Sequence, residues 1–388
     1  KIMKNTQANN TQIEKQIQKY KFSTNYFESP EQLKNDIINK KVIPHQVEFQ
    51  PGPQGKKICW LSCPYCYGES AENTQERPST ERLVKILNEI ADGGVKKVTF
   101  AGWATDPLNS KSIDDLLETA IKRKMIFGFN TKPIKVSDRF VNILKDNEID
   151  AQSWISLSID SGSNEIFNKV HGMKTKAALY DKVLINVNRI KEANMPERKF
   201  DVSAAYLLNK FNSSQKEIER FILDFKSAGC NLLRFSFAQP PRGLANKKNI
   251  ETVPLVYEKN QIIKELRDWI YSFDSESCKI LVVDPDSEND IFYKNRTLPC
   301  VARFIYPTVG FDGRLYQCSQ SAAPNFKETE IGDLKTKKFW DLYYDYDVSD
   351  FEGFFKKTGE LIKKSGCRCD RKEHIANTKI SKSGLFGK

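Results

Sequence analysis

"STERLVKILNEIADGGVKKVTFAG", residues 79–102, reads as a helix followed directly by a strand. Ser79 and Thr80 supply a cap, Glu81 lies in the first turn, apolar residues recur at helical spacing, and Gly93 and Gly94 stop the helix. VKKVTFAG (95–102) then has the β-branched and aromatic content of a buried strand. The same unit recurs on either side. Upstream, HQVEFQ (45–50) is strand-like. Downstream come helix 112–124, strand 125–130, helix 136–147, strand 153–160, helix 176–193, strand 200–208, helix 213–229 and strand 231–239. Six strands alternating with helices predict right-handed βαβ crossovers and a parallel sheet, either open and doubly wound or curved into a partial (β/α)6 TIM-type barrel.

Beyond Pro240 the rhythm breaks. A helix is expected over 256–273 and a further strand over 279–285, and "CVARFIYPTVGFDGRLYQC" (300–318) reads as a small β-hairpin with FDG (311–313) as its turn. A short helix near 339–345 and a basic, cysteine-bearing end follow. The expected organisation is an N-terminal extension over 1–41 with no core of its own, an α/β domain over 42–290, a small α+β domain over 291–375 and a basic tail over 376–388.

Composition limits the function classes. With 388 residues, 39% of them hydrophobic, the chain can bury a large core, so disorder is not the expectation. It contains no apolar run of about 18 residues, and the first residues lack the apolar stretch of a signal peptide, so no membrane span is expected and a cytoplasmic setting is. The net charge of +11 raises the question of nucleic acid. Residues 351–388 hold ten Lys or Arg against four Asp or Glu, so +6 of the +11 sits at that end, where a solvated basic terminus accounts for it, and no RNA-binding module is recognisable.

The nine cysteines are clustered: 59, 63 and 66, then 230 and 278 singly, then 300, 318, 367 and 369. In a reducing compartment clustering argues for metal ligation over disulfides. Cys59, Cys63 and Cys66 form C-x3-C-x2-C on the loop after the first strand. Zinc sites usually pair C-x2-C with a second Cys or His pair, and no His follows here. Three ligands leave one metal position open. Of the histidines, His45, His171 and His374 form no metal pattern, and Cys230 and Cys278 read as ordinary buried thiols.

With the aromatic Tyr65 before its third cysteine, the loop resembles the signature of the radical S-adenosylmethionine (SAM) superfamily. The resemblance implies a 4Fe-4S cluster on Cys59, Cys63 and Cys66 whose open iron is chelated by SAM. One-electron reduction then yields a 5′-deoxyadenosyl radical that abstracts a substrate hydrogen. "FAGWATDPLNS" (100–110) stands where the family carries a glycine-rich segment for the SAM amino group; Gly102 is retained, with Trp103 and Thr105 nearby. "GFNTKP" (128–133) resembles the third-strand segment and offers Asn130. "SLSIDSGSNEIFNKVHG" (156–172) resembles the fourth-strand motif, which would turn Ser158 and Asp160 toward the SAM ribose or carboxylate. Each of these could equally be a polar cap of a strand or helix.

Cys300, Cys318, Cys367 and Cys369, followed by "EIGDLKTKKFWDLY" (330–343), resemble the auxiliary-cluster module called twitch, a shortened relative of SPASM. The resemblance implies an auxiliary 4Fe-4S cluster with four protein ligands and therefore an electron-transfer role; the C-x-C at 367 and 369 departs from the more familiar C-x2-C. Gln239 and Arg242 in "AQPPRG" (238–243) close the sixth strand and are candidates for a polar or anionic substrate. The implied activity is a radical oxidoreductase on a small polar molecule of the sugar or aminocyclitol kind, with an external flavodoxin- or ferredoxin-type reductant. A peptide-modifying or RNA-modifying radical enzyme, and a non-enzymatic zinc or iron-sulfur protein, are the alternatives.

Overall fold

The computed structural model describes residues 14, 15, 17, 18, 24–52, 59, 61–66, 77–102, 105–238, 254–283, 285, 299–324, 326–365, 369 and 371–387. Strands β1 (Val47–Phe49), β2 (Lys97–Phe100), β3 (Ile126–Thr131), β4 (Trp154–Ser158), β5 (Asp201–Leu208), β6 (Leu232–Phe237) and β7 (Lys279–Val282) pair in chain order, all parallel. This is the mostly parallel α/β architecture of a partial barrel. Its helices are α1 (Pro30–Ile38), α2 (Thr80–Asp92), α3 (Ile113–Lys122), α4 (Asp138–Asp146), α5 (Asn164–Val170), α6 (Leu179–Asn194), α7 (Gln215–Ser227) and α8 (Val256–Tyr271).

Serine caps recur at the helix starts. Ser79, Ser137, Ser163 and Ser214 accept the N–H groups of Arg82, Phe140, Ile166 and Glu217 and so satisfy donors that the helices leave unpaired. On α2, Leu83, Ile86, Leu87 and Ile90 are buried, the i, i+3, i+4, i+7 stripe that turns one face to the sheet. The strands meet that stripe with Val47, Phe49, Val98, Phe100, Phe127, Phe129, Ile155 and Leu157, all in one hydrophobic core. Because successive strand residues point to opposite faces, the partners of these positions face the other way, into the lumen. Among them are Gln46, Glu48, Thr99, Asn130, Ser156, Ser158, Ser203, Arg234 and Ser236, alongside Gly128, Trp154, Ala205, Leu207 and Leu232.

The C-terminal part enlarges the same sheet. Beyond the short helix α9 (Ala302–Ile305), β8 (Thr308–Val309) joins the free edge of β1 in parallel, and β9 (Arg314–Tyr316) and β10 (Glu330–Asp333) continue antiparallel, so one sheet of ten strands runs from β10 to β7. The anticipated hairpin is therefore present, paired onto β1. Helix α10 (Phe339–Tyr343) docks on α2: Trp340 Nε1 donates to Glu89 O at 2.7 Å, the Phe339 N–H donates to Glu89 Oε2 at 2.9 Å, and Arg82 Nε donates to Leu334 O at 2.6 Å.

Two expectations about the ends change. In the N-terminal stretch, Leu33 and Ile37 of α1 enter the common core, and Tyr346 Oη donates to Ile37 O at 2.8 Å. The expected solvated tail folds, after α11 (Phe351–Ser365), as helix α12 (Arg371–Ser383), with Ile375, Ala376, Ile380 and Phe386 buried. These apolar residues sit at intervals that close against the core, whereas the lysines between them dominate the local composition.

Candidate active site

The cysteine loop, the turns after β2, β3 and β4 and the end of α5 meet at the C-terminal ends of the parallel strands, where ligands of parallel barrels bind. Cys59, Cys63 and Cys66 are half-buried and none forms a disulfide. The Cys66 N–H donates to Cys63 O at 3.0 Å, which makes the last two cysteines one tight turn. The loop is tied down twice. Its Ser62 N–H donates to His171 O at 3.0 Å, and Gly172, at φ +62, leaves room for that approach: a Cβ there would lie 2.3 Å from Ser62 O. Tyr65 is buried, and its hydroxyl donates to Asp160 Oδ2 at 2.9 Å.

Asp160 is the hub of this tie. It is buried just beyond β4, and its φ of +64 is a left-handed conformation uncommon outside glycine. Asn212 Nδ2 holds its carbonyl at 2.8 Å, the Leu207 N–H donates to Oδ1 at 2.8 Å, and Lys132 Nζ lies 3.2 Å from Oδ2. Burial works against its charge, yet Lys132 and these donors hold the Asp160 carboxyl below its ordinary range. Lys132 also donates to Ser158 O at 2.6 Å. The carboxylate is thus spent on protein donors. Asp160 therefore positions Tyr65 and the loop, through donors that all come from the chain itself.

His171, which belongs to no metal pattern in the sequence, lies within this cradle. It is fully buried; Nε2 donates to Ile159 O at 3.1 Å and Nδ1 faces Cys63 Sγ at 3.4 Å. Burial, joined by the charge of Lys132, pushes it down to about 3, so the ring is neutral with its free nitrogen toward the thiol. Burial pushes the Cys63 and Cys59 thiols up, the Cys59 thiol against backbone N–H donors from Leu61 and Asp106. Such thiols ionise when a cation is bound to them and are poor free nucleophiles.

The residues expected to hold SAM line the same mouth. Gly102 follows β2 so closely that an added Cβ would fall 1.1 Å from Thr105 O. Only glycine fits there. Thr105 is buried, and its hydroxyl has no hydrogen-bond partner among the described residues. Asp106 fixes the turn: Oδ1 accepts from the Leu108 N–H at 2.9 Å and from Thr131 Oγ1 at 2.7 Å, and Oδ2 from the Lys132 N–H. Burial pushes its carboxyl up to about 6 against those donors. Asn130, on the lumen face of β3, is exposed, and Ser158, on that of β4, is half-buried. A glycine cradle, an orphaned buried hydroxyl and an exposed amide at one strand-end mouth fit a polar amino-acid-bearing ligand beside the thiols. Trp103, Gln239 and Arg242 lie outside the described residues.

The second group is held by other elements. Cys300 and Cys369 are half-buried and Cys318 is buried; Cys367 lies outside the described residues. Cys300 precedes α9, Cys318 follows β9, and Cys369 precedes α12. Asn377 Nδ2 lies 3.9 Å from Cys300 Sγ and 3.7 Å from Cys369 Sγ, which draws these two thiols to one side chain. Between the two groups, Lys372 Nζ pairs with Glu48 Oε2 at 3.1 Å, both buried, and Gln50 Nε2 donates to Glu48 Oε1 at 2.9 Å and lies 3.4 Å from Ser319 O. Nothing in local sequence pattern marks Glu48, Lys132, His171, Lys372 or Asn377. Only "KVHG" and the single acidic residue within strand "QVEF" were visible signals.

Comparison with known proteins bears on the family and the fold. Residues 56–237 match the sequence profile of the Radical SAM superfamily. A "Probable GTP 3′,8-cyclase" of Methanosarcina mazei is 28% identical over 209 residues, and the alignment spans 50% of this chain and 58% of that protein. Among solved structures, Streptococcus suis SuiB bound to its precursor peptide SuiA superposes with a TM-score of 0.58 at 15% identity, over 82% of this chain and 69% of the other. anSMEcpe with bound AdoMet gives 0.55 at 17% identity, over 84% and 89%. At these identities the two structures speak to the fold. No helix among the described residues is long and apolar enough to cross a membrane.

Proposed function

This chain belongs to the Radical SAM superfamily, and from that premise we propose that it is an oxidoreductase acting on a small polar, hydroxyl- or amine-bearing substrate seated in the barrel lumen. Cys59, Cys63 and Cys66 hold a 4Fe-4S cluster, and Tyr65, Gly102, Trp103, Thr105, Asn130, Ser158 and Asp160 form the SAM site. Cys300, Cys318, Cys367 and Cys369 hold an auxiliary 4Fe-4S cluster, in a C-terminal module that begins near residue 291. When bound, these groups supply a 5′-deoxyadenosyl radical and a one-electron sink. The chain's own residues place them. Asp160, through Tyr65, fixes the height of the cysteine loop. Gly102 lets the β2 turn close. The lumen residues Ser156, Ser203, Arg234 and Ser236 present hydrogen-bonding groups to the substrate, and Gln239 and Arg242 are further candidates for its recognition.

The observation that carries this reading is that the cysteine loop and the orphaned Thr105 hydroxyl share one strand-end mouth above a lumen lined in part by polar side chains. The test is anaerobic reconstitution with iron and sulfide, followed by dithionite and SAM. About eight irons per chain, as two cubane clusters require, and formation of 5′-deoxyadenosine are expected. Four or fewer irons with no 5′-deoxyadenosine would sink it.

A second reading is modification of a peptide, supported by the likeness to SuiB, whose structure holds a precursor peptide. Deuterated candidates separate the two. The 5′-deoxyadenosine recovered would carry deuterium from a labelled polyol or aminocyclitol on the first reading, and from a labelled peptide side chain on the second. An external one-electron reductant of the flavodoxin or ferredoxin type is part of both.

A further inference from the structure

We propose that Asn377 sets the reduction potential of the auxiliary cluster by donating both protons of its side-chain amide to cluster ligands, a step that rests on the auxiliary-cluster reading above. Asn377 lies on α12 with no exposed surface. Its Oδ1 accepts from the Val301 N–H at 2.9 Å, and a backbone N–H can only donate, so the orientation of the amide is fixed. The NH2 group must therefore face the other way. There it meets Cys369 Sγ at 3.7 Å and Cys300 Sγ at 3.9 Å, within the longer reach of sulfur acceptors. A polar side chain buried in a helix needs partners, and these two sulfurs are the ones its NH2 group finds.

The consequence follows from charge. Reduction adds an electron to an already anionic centre, and amide protons aimed at the ligating sulfurs stabilise that added charge. Removing them makes the reduced form harder to reach and lowers the potential. Thr358 offers a control beside the same ligand. Its Oγ1 accepts from the Cys300 N–H at 3.3 Å and donates to Phe355 O at 2.8 Å, so it anchors the backbone and gives no proton to sulfur.

The experiment uses the full chain with Cys59, Cys63 and Cys66 replaced by alanine, so that any remaining cluster is the auxiliary one. Iron content, an EPR-monitored redox titration and the exchangeable-proton couplings of the reduced cluster are read in this background. They are read again with Asn377→Leu, Asn377→Asp or Thr358→Val added. The expected result is about four irons throughout, a lowered midpoint potential with loss of exchangeable-proton coupling in both Asn377 variants, and neither change in Thr358→Val. If the background protein binds no iron, the auxiliary-cluster reading fails and this proposal with it. If iron is bound but the potential and couplings of the Asn377 variants match the background, the proposal alone fails. Loss of iron from both Asn377 variants would assign Asn377 to holding the site together and overturn the tuning role.

Discussion

The two cysteine groups are held by different parts of the fold. Around Cys59, Cys63 and Cys66 the supports are ionic or ionisable and come from several strand ends: Asp160 after β4, Lys132 after β3, His171 after α5. Around Cys300 and Cys369 the supports include a neutral amide and a hydroxyl on two helices, Asn377 and Thr358, while buried Lys372 on the helix of Asn377 pairs with Glu48. A three-thiol site must stay open to a charged, exchangeable ligand, so its surroundings sit at a polar mouth where buried charges can be paired. On the reading proposed above, the second group with its four thiols needs only to keep its shape and tune an electron, a task to which the neutral Asn377 amide contributes.

That contrast can be broken by experiment. Cys63→Ala should abolish 5′-deoxyadenosine formation, at least about a thousandfold, while leaving about half of the iron on the auxiliary ligands. Cys318→Ala should do the reverse: iron again falls by about half and substrate turnover by about a hundredfold or more, but SAM cleavage persists uncoupled from product. If both substitutions silence SAM cleavage equally, the division of roles is wrong. Between them in kind lies Asp160→Asn. It leaves Lys132 with a neutral partner and weakens the hold on Tyr65, and a fall of about 10–100-fold in SAM cleavage is expected, the range seen when partners of metal ligands are lost. An unchanged rate would show that the ionic tie is dispensable and the two sites are less different than they look.

Smaller effects sharpen the comparison by acting on neither site. Trp340→Ala removes the ring that seals α10 onto α2 and should cost about 2 kcal/mol in chemical denaturation, with iron content unchanged in the folded protein. Asp201 is buried at the start of β5, remote from both cysteine groups along the strands, with Asn231 Nδ2 at 2.5 Å from Oδ1 and no partner on Oδ2 among the described residues. Burial pushes its carboxyl up to about 7. Between its unfolded value near 4 and 7 the folded state binds the extra proton, so stability from this group falls as pH rises through that window. Asp201→Asn should remove that slope and stabilise the protein by on the order of 1–3 kcal/mol at pH 8, read from denaturation curves at pH 5 and 8. A flat wild-type profile, or a slope that survives the substitution, would contradict it.

Much of this was legible in the chain itself. The helix stripes and serine caps that place β1 to β6 are local, so Leu83 to Ile90 and Ser79 announce α2 without any knowledge of its neighbours. The C-x3-C-x2-C spacing carries its own chemistry for the same reason. His171 could not be read, because its approach to Cys63 spans 108 residues and depends on the α5 turn returning to the loop. Asp160 was visible as a polar strand end, but its partners Lys132, Leu207 and Asn212 come from other strand ends, so its role in positioning Tyr65 and the loop could not be read locally.

The sequence by itself determined the alternation of strands and helices, the open three-cysteine loop and the existence of a second cysteine group. Periodicity and ligand spacing act over a few residues and survive without a tertiary fold. Only the tertiary structure decided that β8 would pair with β1, that the lysine-rich end would bury Ile380 and Phe386, and that Asn377 would turn its amide between Cys300 and Cys369. Each of these is a contact between segments far apart in the chain, selected by which buried groups can be satisfied together.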